Sequence, residues 1–234
     1  MTDFLNTFLF GYFPYLCLAV FFLGSLLRFD REPYTWRAGS SQLLRRKQLR
    51  WGSNLFHLGV LVIFFGHLFG LLVPIAIYDA LGIGHTFKQV MAMTVGGIAG
   101  VAALVGASLL LHRRLADPRI RRNSALSDHV VLILLYVQLV LGMLTIPISA
   151  NHLDGSMMVT FMTWAQGIWT FQPGVAALVA EAHWIFKLHL SLGLLVFLVF
   201  PFTRLVHVWS VPVWYFGRTG YQVVRQRGRR RTAA

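Results

Sequence analysis

Five stretches of the chain, residues 4–27, 55–77, 90–111, 130–148 and 184–208, are each long and apolar enough to cross a bilayer. Few folds remain open to such a sequence. Spanning the roughly 30 Å hydrocarbon core takes about 20 mainly apolar residues as a helix, because lipid offers backbone amides no hydrogen-bonding partners. The chain therefore reads as an all-α integral membrane protein, a five-transmembrane-helix bundle. Its 12% charged content agrees, since a soluble domain carries about 25%. The lone Cys17 is too few for a disulfide scaffold, a Cys-ligated iron–sulfur cluster or a C-x-x-C-H haem attachment. The first six residues carry Asp3 and no Lys or Arg, so the first apolar stretch reads as a retained helix, with Pro14 tolerated, and not as a cleaved secretory signal. The third stretch, with Gly96, Gly97, Gly100 and Gly106, reads as a close helix–helix contact.

A formal net charge of +13 suggests a nucleic-acid partner until the charges are placed along the chain. Arg28, Arg31, Arg37, Arg45, Arg46, Lys47 and Arg50 lie between the first two spans, and Arg113, Arg114, Arg119, Arg121 and Arg122 between the third and fourth. Arg204 and the arginines from Arg218 to Arg231 close the chain. With five spans, nineteen of the 21 basic residues fall on one side, leaving Lys88 and Lys187 opposite. By the positive-inside tendency the N-terminus is then periplasmic and the C-terminus cytoplasmic. Residues 157–180 are a sixth apolar candidate, but Gln166, Gln172 and Pro173-Gly174 interrupt them, and a sixth span would put the basic tail on the wrong face. The division is a membrane domain, 1–216, and a basic cytoplasmic tail, 217–234. The charge faces membrane lipid or a docked subunit, not nucleic acid.

Depth sorts the nine histidines. His112 and His129 fall at cytoplasmic helix ends, and His85, His152 and His183 in or beside external loops, where solvation is explanation enough. His57, His67, His189 and His207 fall within or at the ends of spans two and five, where an ionisable group is costly without a partner. Span two places His67 about 15 Å beyond His57, and span five, running the other way, places His207 about 27 Å beyond His189 and on the same face. His67 thus shares a level with His189, and His57 with His207. The unequal separations require a helix tilt or a kink at Pro201. One such histidine reads as an interhelical hydrogen bond. Four at two matched depths favour the axial positions of two haem irons, filled on both sides and suited to electron transfer. Gly59, Gly66, Gly70 and Gly193 serve either macrocycle room or helix packing. Arg113 and Arg114 are candidates for haem propionates, with headgroup contact as the alternative.

The segments Tyr34-Thr-Trp-Arg-Ala38, Ser53-Asn-Leu-Phe-His57, Gly66-His67, Leu144-Thr-Ile-Pro147, His152-Leu-Asp-Gly155 and Arg204-Leu-Val-His-Val-Trp-Ser-Val-Pro212 resemble the gamma subunit of respiratory nitrate reductase, a di-haem cytochrome b membrane anchor. The resemblance runs from Phe4 to about Phe216. It implies two haem b groups: His57 and His207 ligate the cytoplasmic-side iron, His67 and His189 the periplasmic-side iron. It implies that menaquinol or ubiquinol is oxidised near the outer haem, with protons released outside. Electrons then pass to an iron–sulfur beta subunit and on to a molybdenum-containing alpha subunit that reduces nitrate. Lys88 matches a family lysine associated with the quinol site, beside Gly66; without the resemblance it reads as a lysine snorkelling to headgroups. The resemblance also implies a multi-pass protein of the bacterial inner membrane. The rivals are a di-haem anchor of a formate dehydrogenase or hydrogenase type, reducing quinone, and a haem-free membrane anchor.

Overall fold

The computed structural model describes residues 2–36 and 44–210; the basic tail assigned to 217–234 lies outside them. Those residues form helices and connecting turns with no strand among them. Five helices are long and apolar enough to cross a membrane. They are α1 (Asp3–Arg31), α2 (Arg46–Leu72), α4 (His85–Ala116), α6 (Leu126–Ala150) and α8 (Trp184–Phe202, of which Trp184–Val199 is α-helical). Between them lie the short helices α3 (Ile75–Ala80), α5 (Pro118–Arg122) and α7 (Ser156–Trp169). Helix α2 packs on α4, α4 on α6, α6 on α8, and α8 on α1. Helices α2 and α8 are not a packed pair, so the row of helices leaves a gap between them.

The excluded sixth candidate resolves into α7 and a short 3-10 segment, Val175–Val179. Fourteen residues of α-helix reach about 21 Å, too short to span. Gly174 with φ +77° and Phe171 with φ +57° then turn the chain back. This unit caps one end of the bundle, burying Phe10, Trp164, Ile168, Val175 and Val179 together. A π-helical turn at Phe8–Tyr12 widens α1 there, and the Trp164 indole N–H donates to the Phe10 carbonyl at 3.0 Å.

Two spans end earlier than their hydropathy suggests, each at a proline. Span two was expected to reach residue 77, but α2 stops at Leu72 because Pro74 drives Val73 into an extended conformation, φ −68° and ψ 126°. Span five was expected to run to 208 as one helix. Its α-helix instead ends at Val199; Phe200–Phe202 forms a 3-10 turn, Thr203 is extended, and His207 lies on a separate 3-10 segment, Arg204–Ser210. The cause is Pro201, which has no N–H to donate and clashes with the preceding turn. Of the two devices open in the sequence, tilt or kink, the chain uses a break at Pro201.

Close packing of α2 and α4 depends on glycines. A Cβ on Gly59 would sit 2.5 Å from the Ala99 carbonyl oxygen and 2.7 Å from the Ala103 nitrogen, and one on Gly106 would collide with the backbone of Phe56. The small residues of the third span thus serve contact at Gly100, against Met143, and at Gly106, while Gly96 faces open space. Because backbone cannot yield as a flexible side chain does, Gly59→Leu is expected to separate the two helices at a cost of about 3 kcal/mol or more. The purified variant should melt well below wild type in a thermal unfolding scan, whereas Gly96→Leu should not.

Candidate functional site

Across the gap between α2 and the α8 chain, four imidazoles stand in two facing pairs. The ring centres of His57 and His207 are 6.3 Å apart, and those of His67 and His189 are 6.2 Å apart. Since residue numbers rise from 57 to 67 on α2 as they fall from 207 to 189 opposite, the two segments run antiparallel. A metal–imidazole bond is about 2 Å long and a ring centre lies about 1.1 Å behind its own nitrogen, so two imidazoles on opposite sides of one metal ion have centres about 6 Å apart. Both pairs meet that spacing. Neither belongs to a group of three or more His, Cys, Asp or Glu side chains among the described residues, so a metal held by either pair would have two protein ligands and would take the rest from a group bound with it. A haem iron, with four equatorial nitrogens of its own, fits that donor set.

Three of the four rings are fixed by their own backbone. His57 Nδ1 donates to the Ser53 carbonyl at 2.7 Å, His67 Nδ1 to the Ile63 carbonyl at 2.8 Å, and His207 Nδ1 to the Arg204 carbonyl at 2.6 Å. Each bond places the proton on Nδ1 and leaves Nε2 with a lone pair to ligate, the outer support found behind metal-bound histidines. His189 differs: its Nδ1 is buried without a hydrogen-bond partner. On α2, Gly66 and Gly70 have nothing within 4 Å of where a Cβ would stand, so these two positions face open space. Gly59 is taken up by helix packing, and Gly193 faces Gln138.

The break that delivers His207 is held from α1. Arg28 Nη1 donates to the Pro201 carbonyl at 2.6 Å and to the Thr203 carbonyl at 2.9 Å, taking acceptors that an unbroken helix would have satisfied internally. Thr203 Oγ1 donates to the Phe200 carbonyl and accepts from the Leu205 N–H, starting the segment that carries His207. Gly24 makes space for the proline: a Cβ there would lie 2.9 Å from Pro201 Cγ.

At the opposite end, one turn beyond His67, side chains take up the last carbonyls of α2. Tyr78 O–H donates to Phe69 O at 2.7 Å, Lys88 Nζ to Gly70 O at 3.1 Å, and Gln166 Nε2 to Leu71 O at 3.1 Å and Val73 O at 3.0 Å. Burial raises the Tyr78 phenol above its ordinary value. Lys88 is 4% exposed; its ammonium stands 3.5 Å over the Tyr78 ring and 3.0 Å from Met162 Sδ. It points into the protein, against the C-terminal end of α2, and does not snorkel. Lys187, without a role in the sequence reading, donates to the Ala180 carbonyl at the end of the Val175–Val179 segment.

At the His57 end, Arg113 and Arg114 diverge. Arg113 is buried and donates to the Leu44 carbonyl at 2.7 Å, while Arg114 and Arg204 flank Asp128 at 3.6 and 3.8 Å. Nearby, Asp117 pairs with Arg45 at 3.1 Å and accepts from the Arg119 N–H, starting α5. Burial pushes its carboxyl up, but the Arg119 N–H and guanidinium outweigh burial and hold it below the ordinary 3.8. A carboxylate so lowered stabilises the fold at pH above its unfolded value, and the contribution fades as pH falls through the lowered one. Asp117→Asn should lower the melting temperature at pH 7 and narrow toward wild type as the pH drops below about 4, as measured by thermal scans across pH.

The remaining histidines have modest partners, such as His112 with Gln48 at 3.0 Å and His85 with Asp79 at 3.5 Å. Tyr78 and Gln138 were not picked out from sequence, and Arg28 and Gln166 appeared there only as a loop charge and as an interruption of an apolar run. The available signals were an amide in the middle of an apolar span for Gln138, and a span-breaking proline whose freed carbonyls need donors for Arg28.

The sequence pattern of the family described as nitrate reductase gamma subunit matches residues 6–227. The chain belongs to that family. It is 50% identical to the respiratory nitrate reductase 2 gamma chain of Escherichia coli (strain K12) over 227 residues, covering 97% of this chain and 100% of the relative. It is 51% identical to the respiratory nitrate reductase 1 gamma chain of the same strain, over 96% of this chain and 99% of that one. The nitrate reductase gamma chain of Bacillus subtilis (strain 168) is 38% identical over 94% and 97% of the two chains. Membership in the nitrate reductase gamma subunit family spans all four paired histidines, Lys88 and the Pro201 break.

Proposed function

We propose that this chain is the membrane cytochrome b of a respiratory nitrate reductase complex, with one haem b between His57 and His207 and a second between His67 and His189, and that it oxidises quinol beside the second. The supporting observation is the pair of facing imidazoles, repeated at two depths, each at the spacing of two ligands to one iron. Held between these histidines, a haem would supply a one-electron centre suited to electron transfer.

The chain's own residues do the rest. The carbonyls of Ser53, Ile63 and Arg204 hold three imidazoles in the tautomer that presents Nε2. Lys88, buried against Tyr78 and Met162 and without an ion-pair partner among the described residues, is placed to donate a hydrogen bond to a quinol oxygen beside Gly66 and His67. Menaquinol or ubiquinol gives up two electrons and two protons at this end. With the N-terminus periplasmic and the C-terminus cytoplasmic in the bacterial inner membrane, the protons are released outside. The electrons leave inside, to an iron–sulfur beta subunit and then a molybdenum-containing alpha subunit that reduces nitrate. Arg113 and Arg114, at the cytoplasmic end of α4, are the proposed partners of anionic propionates. Family membership favours this direction of flow over a quinone-reducing anchor of formate dehydrogenase or hydrogenase type.

Anaerobic membranes containing the complex provide the test. Menaquinol or ubiquinol analogues should bring up a b-type absorption band, and nitrate should then bleach it. Absence of any such band would support a haem-free anchor, and a band raised by dithionite but by neither quinol would reverse or remove the quinol role.

A further inference from the structure

His189 is the exception among the four paired histidines, and its surroundings account for the difference. Backbone carbonyls hold the other three Nδ1 atoms, whereas the His189 Nδ1 is buried without an acceptor. Its polar neighbour is Gln138, in the middle of α6. The Gln138 amide nitrogen donates to the His189 carbonyl at 3.1 Å and lies 3.5 Å from the ring Nε2. The amide oxygen, Gln138 Oε1, is buried with no donor. Neighbouring side chains thus hold a buried donor and a buried acceptor, each unpaired, and burial without a partner is costly until the bond is made. Two glycines keep space open around them. A Cβ on Gly142 would lie 3.1 Å from His189 Cε1, and one on Gly193 would lie 3.1 Å from Gln138 Nε2. Pairing the two atoms requires the ring to rotate about χ2, a broad torsion, because in the structure it is Nε2 that lies 3.5 Å from the Gln138 amide nitrogen.

We propose that Gln138 is the positioning residue for His189: its amide oxygen accepts the Nδ1 proton, orients the ring toward His67, and sets the redox potential of the haem held there. This rests on the di-haem reading above. An acceptor on the far nitrogen makes an imidazole a stronger electron donor, which stabilises the oxidised iron and lowers its potential. The other three Nδ1 atoms have backbone carbonyls as acceptors, with Ser53 Oγ also 3.2 Å from His57 Nδ1, so His189 is the ligand whose proposed acceptor a single substitution removes.

The experiment is an optical and electron paramagnetic resonance redox titration of the whole complex in membranes, comparing wild type with Gln138→Leu and Gln138→Glu. Two resolved haems in wild type establish the reading on which the proposal rests; fewer than two would defeat that reading itself. Given two, Gln138→Leu should raise the potential of the haem lost in His67→Ala and leave the other unmoved, with a changed low-spin signal from that haem alone. Gln138→Glu keeps the acceptor oxygen, gains negative charge and loses the donor to the His189 carbonyl, so it should lower the same potential. Opposite shifts support the proposal. If Gln138 merely ties α6 to α8 through its donor, both variants should shift the potential in the same direction or leave it unchanged, and either result overturns the proposal. Should Gln138→Leu retain only one haem, Gln138→Glu decides alone: a potential below wild type supports the proposal, and one at or above it overturns it.

Discussion

Replacing His67 or His189 with alanine is expected to halve the haem content of the chain and abolish quinol-dependent nitrate reduction. The two rings face each other 6.2 Å apart, and neither has a nearby His or Cys to substitute for it among the described residues. Without one of the two rings, a haem between them would be held from one side only. His57→Ala and His207→Ala should remove the other haem, giving two complementary pairs of spectra. In all four variants, a soluble dye that feeds the cytoplasmic subunits directly should still drive nitrate reduction, which separates loss of the electron path from loss of assembly. Crossed results, with His57 and His189 affecting one haem, would overturn the pairing.

The second large effect is expected at Lys88. Its ammonium is buried in contact with the Gly70 carbonyl, Met162 Sδ and the Tyr78 ring. Lys88→Met preserves much of the volume and removes the donor. Quinol oxidation should fall roughly 100-fold, the usual scale for removing one oriented donor from a reacting oxygen, while both haems remain and dithionite still reduces them. Part of any loss of stability is shared with Tyr78 and Gln166, which hold the adjacent carbonyls of the same helix end. Gln166→Leu is therefore the control: it disturbs the α2 terminus but spares the ammonium, and should slow quinol oxidation far less than Lys88→Met.

Much of this arrangement is legible in the sequence because lipid imposes strong constraints. Apolar length marks the five spans, their alternation makes the second and fifth antiparallel, and that with helical rise puts His57 level with His207 and His67 level with His189. The limit of that arithmetic is the straight helix it assumes. Eighteen residues of ideal helix separate His189 from His207 too widely for the pair on α2, and only the break after Val199 brings both into register. Pro201 shows where such a break is possible, but not which way the chain leaves it. That is set by Arg28, some 170 positions away, whose guanidinium takes the Pro201 and Thr203 carbonyls. The capping of α2 by Tyr78, Lys88 and Gln166 is equally hidden. Each is a polar side chain meeting a freed carbonyl through tertiary packing, and no local spacing encodes it. Gln138 left a trace, an amide within an apolar span, yet hydropathy averages it away.

The two facing histidine pairs are tested most directly by the haem stoichiometry and spin state of the wild-type complex extracted from membranes. Two b haems per chain are expected, both six-coordinate and low-spin, as four imidazoles in two pairs require. A single haem, a high-spin signal from an iron with an open axial position, or no haem at all would contradict it.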